Sequence, residues 1–368
     1  DLTSQTCTIQ THITMAFLRM IVLALALGLG VATTDFDAYL SHFNKHYTPA
    51  EYRMRKALFV KRVAEIGAHN ADKSKTWSMG VNQFTDSTEA EIAQLRGFNM
   101  GQWRVATEDY TRERSLPGHG LPDEFDWRDS NMVTPVKNQA SCGSCWAFSG
   151  VGAIEANLLV NGQAETILSE QQYVDCMPNP DECGGTGGCD GATQPLLFNY
   201  SVTHGAKLEA DYVYTATTDS CTEDLYTTVV SVESYGILPE NCDEATLKAY
   251  LVTMGPISVS VDASKWSAYS GGVLTYDQCG SDIDHAVLLV GYGTDASLGD
   301  YWTIKNSWSD SWGEDGFIRL SREDGTATDS TPEDGSGCKG GPDSIEVRGT
   351  CGLYFANSFP YGAKVVSA

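Results

Sequence analysis

The sequence predicts an α+β fold: a helical lobe packed against a sheet-rich lobe, behind a mainly helical N-terminal segment. Three observations predict it. After Cys145 the apolar residues Ala147, Phe148, Val151, Ile154, Leu158 and Leu159 recur at helical spacing until Asn161-Gly162 stops them. In the second half, residues 257–261, 286–290, 301–304 and 317–320 are β-branched and aromatic runs punctuated by glycine. Near the N-terminus, Phe36, Tyr39, Leu40 and Phe43 sit at i, i+3, i+4 and i+7. Helices gathered in one part of a chain and strands in another describe segregated layers rather than alternating βα units.

Taken in order, residues 15–32 carry an early Arg19 and then an apolar run ending in small residues. This reads as a secretory signal peptide cut after Ala32. The run is short for a bilayer span and lacks a stop-transfer flank, so no stable membrane span is expected. Residues 1–14, with Cys7, precede Met15 and read as a leader of doubtful origin. Residues 35–92 look helical: after Pro49, Leu58, Phe59, Val63 and Ile66 continue the amphipathic pattern, and Glu51 can pair with Arg55 at i, i+4. Within this region, residues 80–86 alternate as a short strand. Residues 99–120 are polar and aperiodic, as an extended linker is. The stretch 321–350 is acidic, rich in Gly and Ser and without apolar periodicity, and is expected to be an exposed surface loop.

Composition bounds the function. The chain has 368 residues, enough for two lobes plus a removable segment. Its 42% hydrophobic and 20% charged residues are those of an ordinary globular protein. A net charge of −24 and a pI of about 4.5 leave no basic stripe for phosphates, so nucleic acid is not an expected partner. Such acidity suits an acidic compartment, where protonation relieves self-repulsion. Eleven cysteines in a secreted chain point to disulfides, and the odd count fits one reactive thiol plus pairs. Asn199-Tyr200-Ser201 is a glycosylation sequon. The glycine-rich stretch 183–191 has no preceding strand and is no phosphate loop; its glycines let backbone approach a peptide.

Cys145 sits where a loop becomes a helix. Unpaired N–H groups and the partial positive charge of a helix N-terminus favour a thiolate. Three readings of Cys142-Gly143-Ser144-Cys145 compete: a structural disulfide cysteine, a redox CxxC pair, and a cysteine hydrolase. The last needs a basic partner, an orienter for that partner and donors for an oxyanion. Asp284-His285, Asn306-Ser307-Trp308 and Gln139 offer them.

At these residues the chain resembles the papain family of cysteine proteases, the cathepsin L-like enzymes in particular. Cys142-Gly143-Ser144-Cys145-Trp146, His285 and Asn306 occur in the family's order. Upstream, Glu51, Arg55, Phe59, Ile66 and Asn70 are similar to the interspersed pattern of the cathepsin propeptide, with Arg62 where that pattern has Asn. Gly80, Asn82, Phe84 and Asp86 match its second motif, and Leu121-Pro122 opens a stretch like the mature N-terminus.

The resemblance implies a papain-like two-lobe fold. It divides the chain into an inhibitory propeptide at 33–119, its linker crossing the cleft, and a peptidase domain at 120–368, with cleavage near 118–121. It implies a secreted or lysosomal (vacuolar) cysteine endopeptidase made as a zymogen, acting on proteins or peptides and inhibited by its own propeptide. No cofactor and no metal are expected; a zinc site from Cys176, Cys183 and Cys189 is the metal alternative. The implied roles are Cys145 nucleophile, His285 proton carrier, Asn306 orienter, Gln139 oxyanion donor and Trp308 cover over the His–Asn bond. Gly191, Ala192, Gln194, Ser260, Ile283, Asp284 and Ala356 are the implied substrate contacts. Here Ala192 replaces a family Gly, and Gln194 occupies a usually apolar position. The implied disulfides are Cys142–Cys189, Cys176–Cys221 and Cys279–Cys351, leaving Cys183, Cys242 and Cys338 outside the common set. The alternatives are a papain-fold exopeptidase, a non-proteolytic papain-fold binding protein and an oxidoreductase. Zymogen activation is expected in acid, through weakened contacts of Glu51, Asp86 and their neighbours.

Overall fold

The computed structural model describes residues 35–97, 120–330, 332 and 338–366. The leader, the signal peptide, Cys7, all but the last residue of the linker and half of the cleavage zone lie outside the described residues.

The N-terminal segment is a small aromatic core held by capped helices. Asp35 caps Phe36–His42 by accepting from Asp37 N. Thr48 caps Pro49–Ala71 in a capping box with Glu51, and Pro49 pre-sets the first turn. Phe36, Tyr39 and Phe59 are buried between the two helices. Glu51 spends its carboxylate on the cap, so the expected pair with Arg55 does not form. Arg55 reaches Glu91 instead, and also donates to the Asp86 carbonyl. Arg62 donates to the carbonyls of Phe84 and Ser87 and pairs with Glu89, contacts too far apart for a shorter Asn to span together.

The expectation of helix across 35–92 is corrected at 43–48, which is turn and loop, and at 72–88. The strand there is Trp77–Met79, not residues 80–86. Asn82 ends it: its side chain accepts from Phe84 N, and its carbonyl accepts from Thr85 N, which closes a turn. The alternation of 80–86 came from turn chemistry, not from a pleat. The chain then re-enters a short helix, Glu89–Ala93, under a Thr88–Glu91 capping box.

Trp77–Met79 is an edge strand of a nine-stranded sheet. From it the order runs Tyr269–Leu274, Phe317–Ser321, Gly299–Lys305, His285–Asp295, Ile257–Val261, Asn357–Tyr361 and Ser234–Ile237, with Phe125–Asp126 also pairing on His285–Asp295. The pair Tyr269–Leu274 with Phe317–Ser321 is parallel; its neighbours are antiparallel. The N-terminal segment thus shares a sheet with the lobe it lies against.

Helix Cys145–Val160 is the spine of the helical lobe. It is buried nearly all round and packs on strand His285–Asp295, itself buried from His285 to Gly293. Gly150 lies against the Leu197 side chain, where a Cβ would come within 2.8 Å of it, so helix Gln194–His204 approaches closely. Fully buried Trp146, Trp266, Trp302, Trp308 and Trp312 anchor the lobes, each large side chain contributing about 2–3 kcal/mol. A buried ionic group also joins the lobes: Lys137 Nζ lies 2.8 Å from Glu155 and 2.7 Å from Glu170, and Lys305 donates to Thr134.

Two further expectations are corrected. The second half holds a helix, Glu244–Met254, capped by Asp243 and stopped at Gly255 with φ 108°. The stretch 321–350 is not simply an exposed loop: Thr326–Asp329 pairs with Ile345–Arg348, and Val347 and Asp329 are buried. The short strands hold too few apolar residues to show a period.

Among the described residues, disulfides join Cys142–Cys189, Cys176–Cys221, Cys279–Cys351 and Cys183–Cys338. Cys145 and Cys242 are free and buried. The odd count therefore does not single out one thiol, because Cys242 stays unpaired against Asn357. Among those residues no helix is long and apolar enough to cross a membrane.

Candidate active site

Cys145 is the first residue of its helix, and Ser144 at the N-cap makes no side-chain cap bond. Ser144 instead bonds the Tyr214 hydroxyl, 2.6 Å away, and that hydroxyl lies 2.8 Å from the Gln139 carbonyl. The first-turn N–H groups are therefore left uncapped by this side chain. His285 opens the central strand on the other lobe, and Asn306 follows strand Gly299–Lys305. His285 Nε2 lies 2.9 Å from Asn306 Oδ1. Asn306 Oδ1 also accepts from Ser307 N at 2.8 Å, so the amide oxygen faces the ring and Nε2 carries the hydrogen. His285 Nδ1 is buried without a hydrogen-bond partner. The Trp308 ring lies over His285 with centroids 4.9 Å apart, and Trp266 meets it edge-on at 6.0 Å.

Gln139 is fully buried. Its Oε1 accepts from Ser307 at 2.6 Å, which turns the amide nitrogen towards the nucleophile loop, where it donates to the Cys142 carbonyl at 2.8 Å. The same nitrogen donates to the carbonyl of Leu95, 2.9 Å away. Leu95, Arg96 and Gly97 follow the last short helix of the N-terminal segment and lie directly on the site. Arg96 pairs with Asp284, whose other oxygen accepts from Ala263 N at 2.9 Å. Gly97 has no room for a side chain: a Cβ would come within 1.9 Å of the Gly143 carbonyl.

The segment buries the centre and changes its titration. Burial pushes the Cys145 thiol up to about 12, although backbone hydrogen bonds from Ala286, Gly97 and Trp146 pull it back. Burial likewise pushes His285 down to about 4, with Asn306 opposing and the Arg96 charge adding to the fall. Both groups are thus held neutral. Burial raises the Asp284 carboxyl to about 7, and Arg96 limits that rise.

The expected substrate contacts gather in one region. Ala192, Ile283 and Ala356 share a buried cluster, and Gln194 Nε2 reaches Ser260 Oγ at 3.4 Å. Asp284 is half-buried beside them, Gly191 lies under Gly97, and Trp308 is on the His285 side. Asn199 is exposed on its helix, whereas the sequon's Ser201 is buried against Tyr173 and the Leu197 carbonyl. Sequence reasoning missed Leu95, Arg96 and Gly97, because it began the cleft-crossing stretch at residue 99. The one available signal was a Gly shortly after the short helix, four residues beyond its end at Ala93.

Beyond its own core, the N-terminal segment grips the sheet lobe. Phe84 meets Trp308 edge-on at 5.5 Å, Gln83 Nε2 donates to the Trp308 carbonyl at 2.7 Å, and Asn82 donates to the Ser267 carbonyl at 2.7 Å.

This arrangement of a cysteine at a helix start, a histidine held by an amide and a segment laid across both has close parallels. Residues 121–341 match the papain family cysteine protease domain, and residues 36–92 match the cathepsin propeptide inhibitor domain. The chain belongs to the papain family of cysteine proteases and carries an inhibitory propeptide. Within the family its likeness is to the cathepsin L-like enzymes. It is 38% identical over 301 residues to a cathepsin L-like protein of Caenorhabditis elegans, covering 79% of this chain and 87% of that one. It is 38% identical over 310 residues to cysteine proteinase 1 of Zea mays, covering 79% and 82%. The fold matches digestive procathepsin L 3 of Tenebrio molitor larval midgut with a TM-score of 0.72 and 31% identity, covering 90% of this chain and 99% of that chain. The protein is therefore a cysteine endopeptidase made as a zymogen, and its disulfides fit an oxidising compartment.

Proposed function

We propose that Cys145, His285, Asn306 and Gln139 hydrolyse peptide bonds through an acyl-enzyme. The observation that carries this reading is the Gln139 amide beside the Cys145 helix start, already donating to a peptide carbonyl, that of Leu95. Once the propeptide leaves, His285 Nδ1 takes the Cys145 proton, and the helix N-terminus favours the thiolate. The thiolate attacks the carbonyl carbon, and Gln139 Nε2 with the Cys145 N–H holds the oxyanion. The imidazolium protonates the leaving amine as the C–N bond breaks. Water, deprotonated by His285, then cleaves the thioester and restores the thiol. Asn306 keeps the ring oriented throughout, and Trp308 shields its bond to Nε2.

Gly191 and Ala192 pair with substrate backbone in this reading. The pocket for the residue two before the scissile bond is Ala192, Gln194, Ser260, Ile283 and Ala356. It holds no charge, so apolar side chains are preferred there, and the Gln194 amide tolerates polar ones. The division into a 33–119 propeptide and a 120–368 peptidase, a lysosomal (vacuolar) or extracellular destination, and glycosylation at Asn199 belong to the same proposal.

The test is stoichiometric labelling of the mature enzyme by an epoxysuccinyl inhibitor, mapped by peptide mass. Label on Cys145 together with loss of peptidase activity is expected. Label elsewhere, or turnover by a purified Cys145→Ala variant, contradicts the reading.

A further inference from the structure

The loop between helices Gln171–Cys176 and Gln194–His204 is pinned by three cysteines, and they do not do the same job. Its ends are tied within the helical lobe, through Cys176–Cys221 and Cys142–Cys189. Its middle, Cys183, crosses to Cys338 of the sheet lobe, 155 residues away in sequence. Locally the loop needs no such help, because Asn179 bonds both the Cys183 N–H and the carbonyls of Cys183 and Gly185.

The two partners back opposite walls of the proposed pocket. On one side Gly184 lies flat on Ala192, where a Cβ would come within 2.4 Å of the Ala192 carbonyl carbon, and Gly185 lies as tightly on Asp190 and Gly191. Both glycines have positive φ, 80° and 107°, so this contact is written into the backbone. On the other side Cys338 stands, in sequence, in the connection between the two strands of the hairpin that replaces the expected surface loop, and is joined through that connection to strand Ile345–Arg348. Asp329 of that hairpin accepts from Ile283 N at 3.3 Å, Ser281 Oγ donates to the Thr328 carbonyl, and Val347 shares a cluster with Ile283 and Ala356. A Glu182–Lys339 ion pair lies beside the disulfide.

The lobes are already joined beneath the cleft, by the Cys145 helix on the central strand and by Lys305 donating to Thr134 of the buried Lys137 group. A second, covalent link that backs both pocket walls acts chiefly on the gap between them. We propose that the Cys183–Cys338 disulfide is a specificity clasp that fixes the width of the pocket for the residue two before the scissile bond. Through it Gly184 and Ala192 are held at a set distance from Ile283 and Ala356. Both cysteines are positioning residues: they act through the walls and not on the substrate. The inference rests on the proposed nucleophile and pocket.

The test is the double variant Cys183→Ser/Cys338→Ser, which leaves no stray thiol. Mature parent and variant are first titrated at Cys145 with the epoxysuccinyl inhibitor, then assayed on matched peptides bearing Val, Leu, Phe or Trp at that position. Titration of the parent tests the nucleophile separately from the clasp. The expected result is equal titration, kcat for the Leu peptide changed by less than about twofold, and a shift of about threefold or more in kcat/KM towards Trp over Val, carried by KM. Unchanged ratios, even with a lower Tm, overturn the proposal and leave the bond a stabilising cross-link. A non-reduced peptide map without a Cys183–Cys338 link also overturns it. If the variant does not fold, the same ratios are read on folded parent whose mapped Cys183–Cys338 bond has been reduced and alkylated while a reversible aldehyde inhibitor protects Cys145.

Discussion

The propeptide and the peptidase keep their shapes by different means. The propeptide core is three buried rings, Phe36, Tyr39 and Phe59, fastened by polar contacts that converge on Asp86 and Glu91. The peptidase has two large apolar clusters, one of which takes in Trp77 and Leu95 of the propeptide's docking face, together with five fully buried tryptophans and disulfides. A segment with so small a core depends on its docking face as much as on its own packing. It can therefore come loose at a stress the peptidase does not feel. Latency then resides in the weaker unit, and the chemistry in the stronger one.

The largest test of this contrast is Phe59→Ala. Removing a fully buried ring costs about 3–5 kcal/mol, a large part of what so small a core can hold. The propeptide should melt away while the peptidase transition in calorimetry stays where it was. A single transition moved as a whole would show the two units to be one.

A smaller effect is expected from Arg96→Ala. It strands half-buried Asp284 and loosens the stretch over the site, costing about 1.5–3 kcal/mol, the worth of a charged hydrogen bond. The proenzyme should then hydrolyse a dipeptide substrate roughly ten- to a hundredfold faster than its parent. With the proposed cleavage near 118–121 the processed enzyme no longer carries Arg96 and should be unchanged. A change in the processed enzyme would place the defect in folding instead.

How much of this was legible differs between the two units in the same way. The Cys145 helix and the strands at 257–261 and 317–320 were readable because burial forces a long apolar period on them. By periodicity the propeptide was readable only as amphipathic helix; its identity as an inhibitor came from its resemblance to the cathepsin propeptide pattern. Its turn at Asn82 and the switch of Arg55 from Glu51 to Glu91 depend on side chains that compete for local partners, and spacing does not rank those partners. Cys145, His285, Asn306 and Gln139 stood out by motif. Leu95–Gly97 did not, because these residues act mainly through backbone groups and a missing side chain. The hairpin at 326–348 was hidden because the residues that bury it are few and far apart in sequence.

Acid sensitivity sharpens the contrast further. Glu51, one of the expected triggers, is exposed, and its carboxyl is held low by the Thr48 hydroxyl. Glu91 is held at about 2, chiefly by Arg55. A depressed carboxyl stabilises above its ordinary value near 4.3 and loses that contribution only as pH falls towards 2. His285 has the sign that matters at milder pH. Its value in the closed form is about 4, against about 6.5 when hydrated. Taken alone, this shift costs the closed form stability as pH falls from about 6.5 to about 4, but on opening His285 charges with the Cys145 proton, an internal transfer that takes up none from solution. Asp284, raised from about 3.8 to about 7 in the closed form, works in the opposite direction and by at least as much, so the two groups together give the closed form no net loss in acid. The smallest expected effect follows: Glu91→Gln should raise basal opening but leave the midpoint of the pH dependence of processing in place. A shifted midpoint would return the trigger to the propeptide carboxylates.

The central claim is that the propeptide holds Cys145 neutral and covered until His285 is allowed to charge. The rate of Cys145 alkylation by iodoacetamide, measured on intact proenzyme and on processed enzyme across a pH series, tests it most directly. Processed enzyme should react fast at every pH at which the thiolate–imidazolium pair exists. Proenzyme should react slowly at neutral pH, where the closed site holds both groups neutral. Equal rates for the two forms at neutral pH would contradict the account.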